Sequence, residues 1–420
     1  MNRLSNRPGE SKNRRQLLPT GWPRVTPLRI TALIWAAAMI YHLRQETAHG
    51  LSSGQLAFGD DFINFWAAPR LALSGHIATV YHYAPYHEFQ VATLGGPIGA
   101  YQYSYPPIAI LLCLPFALLP YLWGLGAWLA GGWLVYLMTV RAAWPAAMRQ
   151  PDDAVGYALA VPAVFLNAFT GQNGTWMAAL FGGGLMAVNR RPLVGGALLG
   201  LLVIKPQLAF LVPMALLAGR RWLALMAFCG VAALLVGTSV LLFGLDTWWD
   251  FARQVAQLRQ TILEDGTGVW HLFVSIFVTV RHLPAPVSVA YAVQAVAAIA
   301  ALLAVVLAWR SSAPQTAKNA VLVMAVFYAT PYVQAYDMVV TTLVPLWLVA
   351  QGTGAGVRPT TVWLASLPLI VAPVLSPFLS KISGFGVGCL LLAPAMVVAV
   401  YACARAARRE QRAAIEAVTG

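Results

Sequence analysis

PVSVAYAVQAVAAIAALLAVVLAW occupies residues 286–309 and contains no charged side chain. A transmembrane helix needs about 20 predominantly apolar residues, so this stretch is long enough to cross a bilayer. Similar stretches recur along most of the chain and predict an all-α polytopic membrane protein with about 12 transmembrane helices. The predicted segments are 28–43, 105–121, 122–141, 154–170, 174–188, 192–218, 222–243, 286–309, 319–332, 338–350, 360–377 and 384–404.

The composition of the 420 residues supports the same class, because 59% are hydrophobic and only 10% are charged. Soluble domains average about 45–50% apolar and about 25% charged residues. The chain therefore lacks the polar surface of an ordinary soluble enzyme or a disordered protein. The four cysteines stand singly in apolar runs, so the sequence predicts neither a disulfide framework nor a zinc site. They are Cys113, Cys229, Cys389 and Cys403.

The net charge of +13 lies mainly outside the apolar segments. Basic residues that flank spans mark the cytoplasmic side, so we expect a disordered basic tail at 1–27 and a basic tail at 405–420 in the cytoplasm. An even number of spans places both tails on that side. No folded basic domain is evident, which excludes nucleic acid as a partner. A cleaved signal peptide is the alternative for 28–43, but the long tail before it favours a retained helix.

Two long stretches without a spanning segment, 44–104 and 244–285, are predicted to be extracytoplasmic loops. Within them, residues 62–75 and 245–266 place apolar side chains at helical spacing. This pattern is typical of amphipathic helices that lie along a bilayer. The Trp248-Trp249 pair would then lie at the depth of the lipid headgroups.

The segment 192–218 has two interpretations, because Lys205-Pro206 interrupts it. A basic pair stands at each end, at 190–191 and at 220–221, and favours a hairpin of two half-helices. The even number of spans favours a single kinked helix instead. The sequence leaves both open.

Asp60 and Asp61 stand directly before the first loop helix. An aspartate at this position can cap a helix N-terminus. Neighbouring helical residues point about 100° apart, so the two carboxylates cannot share one task. A single carboxylate at the membrane surface is also what a general base requires. Both interpretations remain at this point.

Amide and tyrosine side chains mark two further candidate positions. Gln172 and Asn173 stand in a break between apolar segments, where amides bond freed backbone groups or bind sugar hydroxyls. Tyr105 precedes a Pro-Pro pair and fits either an interfacial aromatic belt or the lining of a sugar site.

Lys205, with Gln207 two residues later, is the sharpest anomaly in the chain, since four apolar residues precede it. A lysine there can snorkel to an interface, or it can pair with a carboxylate or a phosphate. Tyr336 and Asp337 follow a proline that breaks a later apolar run. Asp337 can cap the next helix, or it can pair with Lys205.

Five pieces of the chain occur in the order in which glycosyltransferase family 87 carries them, and the chain resembles that family over roughly residues 55–350. It looks like the alphaproteobacterial branch. The family comprises polyprenyl-phosphate-mannose-dependent mannosyltransferases of the GT-C fold. The pieces are GDDFINFWAAPRLALSG (59–75), YSYPPIAILLCLPFALLP (103–120), GQNGTWMAALFGGGL (171–185), RRPLVGGALLGLLVIKPQLAFLVPMALLAGRRW (190–222) and ATPYVQAYDMVVTTLVPLW (329–347).

The resemblance implies an enzyme of the bacterial inner membrane whose site faces the periplasm. Such an enzyme takes a sugar, usually mannose, from a polyprenyl phosphate donor and transfers it to a lipid or glycan acceptor. The family pattern Asp-Phe/Leu-x-x-Tyr/Phe matches residues 61–65 and implies that Asp61, rather than Asp60, is the catalytic base. Lys205 matches the Lys-Pro of the family and would hold the donor phosphate. Some relatives carry histidine where this chain has Tyr336-Asp337.

The implied chemistry is a single displacement that inverts the anomeric centre, and it uses one carboxylate and no metal or other cofactor. A transporter or flippase of a lipid-linked sugar is the competing interpretation, because broken helices and an intramembrane lysine also occur in transporters. The acidic pair in a long external loop favours the enzyme. The expected substrate-binding residues are Asp60, Tyr105, Gln172, Asn173, Lys205, Gln207, Tyr336 and Asp337.

Overall fold

The computed structural model describes residues 59–95, 98–146, 148, 151–266, 269–351 and 357–419. These residues form α-helices joined by short 3₁₀ and π segments, and no β-strand occurs among them. The predicted tail 1–27 and the predicted first span 28–43 lie outside the described residues. In chain order the helices are α1 (Phe62–Leu73), α2 (Tyr83–Leu94), α3 (Ile108–Ala117), α4 (Tyr121–Ala143), α5 (Pro151–Ala160), α6 (Pro162–Thr170), α7 (Gly174–Ala187), α8 (Pro192–Gly200), α9 (Pro206–Ala209), α10 (Leu211–Ala218), α11 (Trp222–Phe243), α12 (Leu245–Leu258), α13 (Ile276–His282), α14 (Val287–Arg310), α15 (Gln315–Ala329), α16 (Leu343–Ala350), α17 (Pro359–Ser383) and α18 (Gly388–Thr419).

Five helices in the described part of the chain are long and apolar enough to cross a membrane, namely α4, α11, α14, α17 and α18. The helices α5 and α6 are separated by a bend of 54°, and together they count as a sixth candidate span. The other apolar helices are shorter: α15 has 15 residues, which rise by about 22 Å against the roughly 30 Å of a bilayer core. The polytopic membrane class is therefore supported, whereas at most six of the predicted spans have full length within the described residues.

Glycines allow α8 to pack closely against α11. A Cβ atom on Gly196 would lie 2.1 Å from the carbonyl oxygen of Ala224, and one on Gly200 would lie 2.8 Å from that of Phe228. Only glycine permits backbones to approach so closely. The two contacts advance by four residues on each helix, so α8 and α11 run in the same direction.

This parallel packing decides the two interpretations of 192–218 in favour of the hairpin. Only residues 219–221 separate α10 from α11, so α10 ends at the end of the bundle where α8 and α11 begin. The chain consequently reverses direction between α8 and α10, and Lys205 lies at the apex. The basic pairs at 190–191 and 220–221 share the opposite end of the hairpin.

The predicted span 105–121 is wrong, because this segment starts and ends beside one turn of the chain, the turn between α6 and α7. The Tyr105 hydroxyl donates to Gln172, and the Tyr121 hydroxyl donates to the carbonyl of Gly59, whose own N–H donates to Phe169 just before that turn. The helix between them, α3, has only 10 residues. Both ends therefore lie at one end of the bundle.

The helix α1 does not have the surface position that its sequence pattern predicts. Its residues are buried almost continuously from Phe62 to Pro69, which leaves no face for the bilayer. Neighbouring elements cover it: the Trp66 indole donates to the carbonyl of Leu119, and the Arg70 guanidinium donates to Ala117. The apolar spacing therefore marks a helix enclosed by protein on more than one side.

The helix α12 agrees with the second predicted amphipathic helix. Trp249 is exposed, while Thr247, Gln254 and Leu258 are buried. The Trp248 indole donates to the Ser239 hydroxyl of α11, so only one of the two tryptophans is turned outward.

The centre of the bundle is formed by α15 and the segment 335–350, which are buried on nearly all sides. A helix that is apolar all round belongs in the interior. Asp337 lies in the first turn of the segment 335–350, so the buried core of the bundle surrounds its side chain.

Candidate active site

The start of α1 packs against the turn between α6 and α7. Gly171 ends α6 with φ +71°, and a Cβ atom there would lie 2.7 Å from the carbonyl oxygen of Gly59. The backbone N–H of Asp61 donates to Thr170 at 3.0 Å. The start of α1 is therefore docked on this turn through backbone contacts that only a glycine at position 171 allows.

The Asp61 carboxylate is not used for helix capping. It stands at the N-cap of α1, yet within the described residues it accepts no hydrogen bond from the first turn. Instead, Gln172 Nε2 donates to its Oδ2 at 2.8 Å. Burial and the neighbouring Asp60 raise the pKa of Asp61 to about 7, while the hydrogen bond from Gln172 and the charge of Lys205 oppose the rise. A pKa near neutrality suits a general base.

Asp60 has a different set of partners. Its Oδ1 accepts from the Asp61 backbone N–H at 2.9 Å, and its Oδ2 accepts from the Tyr101 hydroxyl at 2.8 Å. The adjacent aspartates therefore have separate environments, as their spacing predicts.

Gln172 is held in a single orientation. Its Oε1 accepts from the Tyr105 hydroxyl at 2.8 Å, which turns its NH₂ group toward Asp61. The Trp128 indole donates to the carbonyl of Gly171 at 3.1 Å and fixes the backbone beside it. Gln172 and Tyr105 therefore orient each other beside Asp61, and their predicted role in substrate binding stays a prediction.

Lys205 is buried at the hairpin apex, with 3% of its surface exposed, and pairs with Asp337, which is 1% exposed. Its Nζ also donates to Asn173 Oδ1 at 2.9 Å and lies 4.8 Å from the centre of the Tyr336 ring. The short side chain of Asn173 thus bridges α7 to the hairpin. Lys205 does not snorkel, because its ammonium has partners inside the protein.

Asp337 combines the two roles that the sequence offers as alternatives. It pairs with Lys205 through Oδ1, and its Oδ2 accepts from the Gln334 backbone N–H at 3.1 Å. The side chain of Gln334 in turn caps the 3₁₀ segment Ala335–Thr342. This reciprocal capping fixes Asp337 in front of the ammonium.

A cavity of about 410 Å³ opens beside the ion pair. One wall is the inward face of α12, where Phe251, Val255 and Leu258 supply apolar surface. Asp60 and Asp61 do not line it. The polar side chains that line it are Ser104, Tyr105, Lys205, Gln207, Tyr332, Gln334, Tyr336 and Asp337.

Sequence reasoning missed Tyr101 and Gln334. The first lies in the Tyr-rich stretch 101–105, and only the fold shows that it reaches Asp60 across 41 residues. Gln334 and Asp337 have the spacing of a capping box, which could have been found from the sequence.

The fold and this site define a polytopic α-helical membrane protein with a buried ion pair and a carboxylate of raised pKa at one end of its bundle. The sequence model of glycosyltransferase family 87 matches residues 103–333, which is more than half of the chain. The chain therefore belongs to glycosyltransferase family 87 and is assigned to the membrane glycosyltransferases, which use a sugar donor and an acceptor. Asp337 lies just beyond the matched residues, whereas Asp61 lies well before they begin. No curated protein and no solved structure matched the chain.

Proposed function

We propose that the protein transfers a sugar, with mannose as the expected one, from a polyprenyl phosphate to a hydroxyl of a lipid or glycan acceptor. One observation carries the proposal. Gln172 Nε2 donates to Asp61 at 2.8 Å, and Lys205 Nζ donates to the adjacent Asn173 at 2.9 Å. Two consecutive residues thus hold a carboxylate and an ammonium, which suit a base for the acceptor and a cation for the leaving phosphate.

Asp61 is the base in this proposal. Gln172 occupies Oδ2, and within the described residues no hydrogen bond is assigned to Oδ1, so Oδ1 takes the proton of the acceptor hydroxyl. The acceptor oxygen bonds to the anomeric carbon while the carbon–oxygen bond to the phosphate breaks on the opposite face. This single displacement inverts the anomeric centre and needs only one carboxylate.

Lys205 stabilises the departing phosphate, which leaves with both electrons of the broken bond. Its ammonium has three N–H donors, and Asn173 and Asp337 accept from two of them. The third N–H is the one we assign to a phosphate oxygen. Asp337 neutralises the ammonium, so the donor phosphate competes with this carboxylate for Lys205.

Two further features support a lipid-linked donor on the extracytoplasmic face of the bacterial inner membrane. The cavity beside Lys205 has an apolar wall on α12, which suits the isoprenoid units next to the phosphate. The basic pairs at 190–191 and 220–221 lie at the opposite end of the hairpin. Basic residues mark the cytoplasmic side of a membrane protein, so they favour a site that faces the periplasm.

The test uses the full chain in nanodiscs with radiolabelled polyprenyl-phosphate-mannose and a lipid and glycan extract of the source cells. We expect the label to enter a new product. Asp61→Asn should retain donor binding and lose at least about 100-fold in rate, as expected for the removal of a general base. Asp246→Asn is the matched control, because Asp246 is an exposed aspartate in the first turn of α12.

Unchanged turnover by Asp61→Asn would show that another group is the base. Movement of unmodified donor between the leaflets, without any labelled product, would favour a flippase over a transferase. Rejection of the donor by the wild type, with no binding, would exclude polyprenyl-phosphate mannose as the substrate.

A further inference from the structure

A second apolar groove lies between α4, α7 and α8. Its volume is about 580 Å³. Its lining includes the small residues Ala179 and Gly183 and the larger apolar residues Met138 and Leu180. Trp176 is near the start of α7 and marks one end of the groove. Arg190 and Arg191 follow the end of α7 and mark the other end.

We propose that this groove binds one acyl chain of an anionic phospholipid, with the headgroup phosphate on Arg190 and Arg191. Basic pockets between membrane helices on the cytoplasmic side are typical binding sites for anionic headgroups. The lipid belongs to the leaflet opposite the candidate active site. The proposal is independent of the donor and the acceptor of the transferase.

The length of the groove matches one leaflet. Trp176 and Ala187 are both on α7, and the helical rise over this interval is about 17 Å. Half of a bilayer core measures about 15 Å. A single acyl chain therefore extends from a headgroup at the arginines to the Trp176 ring.

The chemistry of the groove also matches a lipid. Its one hydroxyl-bearing residue, Thr139, donates to the carbonyl of Val135 at 2.9 Å, so this hydroxyl already has an acceptor. Arg190 and Arg191 are exposed, and none of the ion pairs in the described residues includes them. Two exposed guanidinium groups at the end of an apolar groove favour an anionic headgroup, because arginine binds phosphate through paired N–H donors.

The experiment titrates the purified full chain in detergent with phosphatidylglycerol or phosphatidylcholine and counts bound lipids by native mass spectrometry. We expect tighter binding of phosphatidylglycerol. Arg190→Gln and Arg191→Gln should each weaken this binding by about fivefold, and the double variant by about thirtyfold. Arg408→Gln/Arg412→Gln is the matched control, because it removes two exposed charges from α18.

Gly183→Leu tests the groove itself. A Cβ atom at this position would lie 3.8 Å from Leu198, an ordinary contact, so a larger side chain fits the backbone and fills the groove. It should weaken the binding of phosphatidylglycerol while the arginines remain. Equal binding of the two lipids by the wild type, or equal losses in the Arg190/Arg191 and Arg408/Arg412 double variants, would overturn the proposal.

Discussion

Gln172 donates a hydrogen bond to Oδ2 of Asp61 at 2.8 Å, although 111 residues separate the two in the chain. The other end of the same amide accepts from Tyr105, so the orientation of Gln172 is set by a residue that does not touch the carboxylate. This arrangement distinguishes the two carboxylate oxygens, because only Oδ2 has its lone pair engaged by Gln172. It also opposes the rise in the pKa of Asp61 that burial causes.

The rate of sugar transfer should rise with pH through about 7. Burial and the charge of Asp60 raise the pKa of Asp61 to about 7, and a general base acts only when it is ionised. Below that pH the carboxyl is protonated, so the rate falls about tenfold for each further pH unit. The measurement is initial rate against pH from 5 to 9, at saturating donor.

Asp60→Asn is the paired variant for this pH profile. It removes the neighbouring negative charge, so the pKa of Asp61 should fall and the rising limb should move to lower pH. A limb that keeps its position in this variant would contradict the contribution that we assign to Asp60.

Tyr105→Phe should move the same limb in the opposite direction. Without the Tyr105 hydroxyl, Gln172 loses the partner that holds its NH₂ group toward Asp61. The carboxylate then loses part of its hydrogen bond and its pKa rises. The rate should therefore fall more at pH 6.5 than at pH 8.5.

Tyr136→Phe serves as the control for this variant. Tyr136 is fully buried and bonds to the Thr342 hydroxyl at 2.7 Å, so its loss also removes a buried hydrogen bond. It follows Tyr121 along α4 by about 22 Å of helical rise, away from the site end. If both variants shift the profile equally, the effect is general loosening of the fold rather than the orientation of Gln172.

Asp337→Asn should strengthen the binding of the donor. The variant removes the carboxylate that competes with phosphate for Lys205, while an asparagine oxygen still accepts from the Gln334 N–H. Donor affinity is measured by equilibrium binding in nanodiscs, with Asp61→Asn as a background that prevents turnover. Weaker binding by the Asp337→Asn variant would argue that Lys205 and Asp337 act as a purely structural pair.

The stability of that pair is measured separately. Lys205→Met leaves Asp337 buried without a counter-charge, and breaking a buried pair in this way costs about 3–5 kcal/mol. Lys205→Met/Asp337→Asn removes both charges and should recover much of the loss. Unfolding of the wild type, of Lys205→Met, of Asp337→Asn and of the double variant in detergent gives the coupling, and additive losses would show that the two charges do not interact.

The sequence predicts those features of the fold that have a local signal. Apolar length reveals the membrane class, and the Lys205-Pro206 interruption indicates a break whose form it leaves open. The enclosure of α1 and the return of 105–121 to the same turn depend on contacts between distant residues, such as Tyr121 with Gly59. Periodicity within one segment reports how apolar its faces are, and not how many neighbours cover them.

The same limit applies to the candidate site. The charges and amides at Asp61, Gln172, Lys205 and Asp337 stand out because ionisable and amide groups are rare in this chain. The pairing of Lys205 with Asp337 depends on the hairpin, and the pairing of Gln172 with Asp61 depends on the docking of α1 on the turn between α6 and α7. The side chain of Gln172 bonds to Asp61 and Tyr105, which its local sequence does not indicate, and its role in substrate binding stays a prediction.

Gly196→Ala should destabilise the protein and lower donor binding together. The added Cβ atom would lie 2.1 Å from the carbonyl oxygen of Ala224, a backbone atom that cannot move away cheaply. Overpacking of this kind costs about 1–3 kcal/mol. Since α8 leads to the apex, its displacement from α11 also moves Lys205.

Gly237→Ala is the control on α11, because nothing lies within 4 Å of its Cβ position, and there alanine should stabilise the helix by up to about 1 kcal/mol. Thermal unfolding and donor binding of both variants test the hairpin directly, and equal stability of the two would show that α8 and α11 do not pack at Gly196.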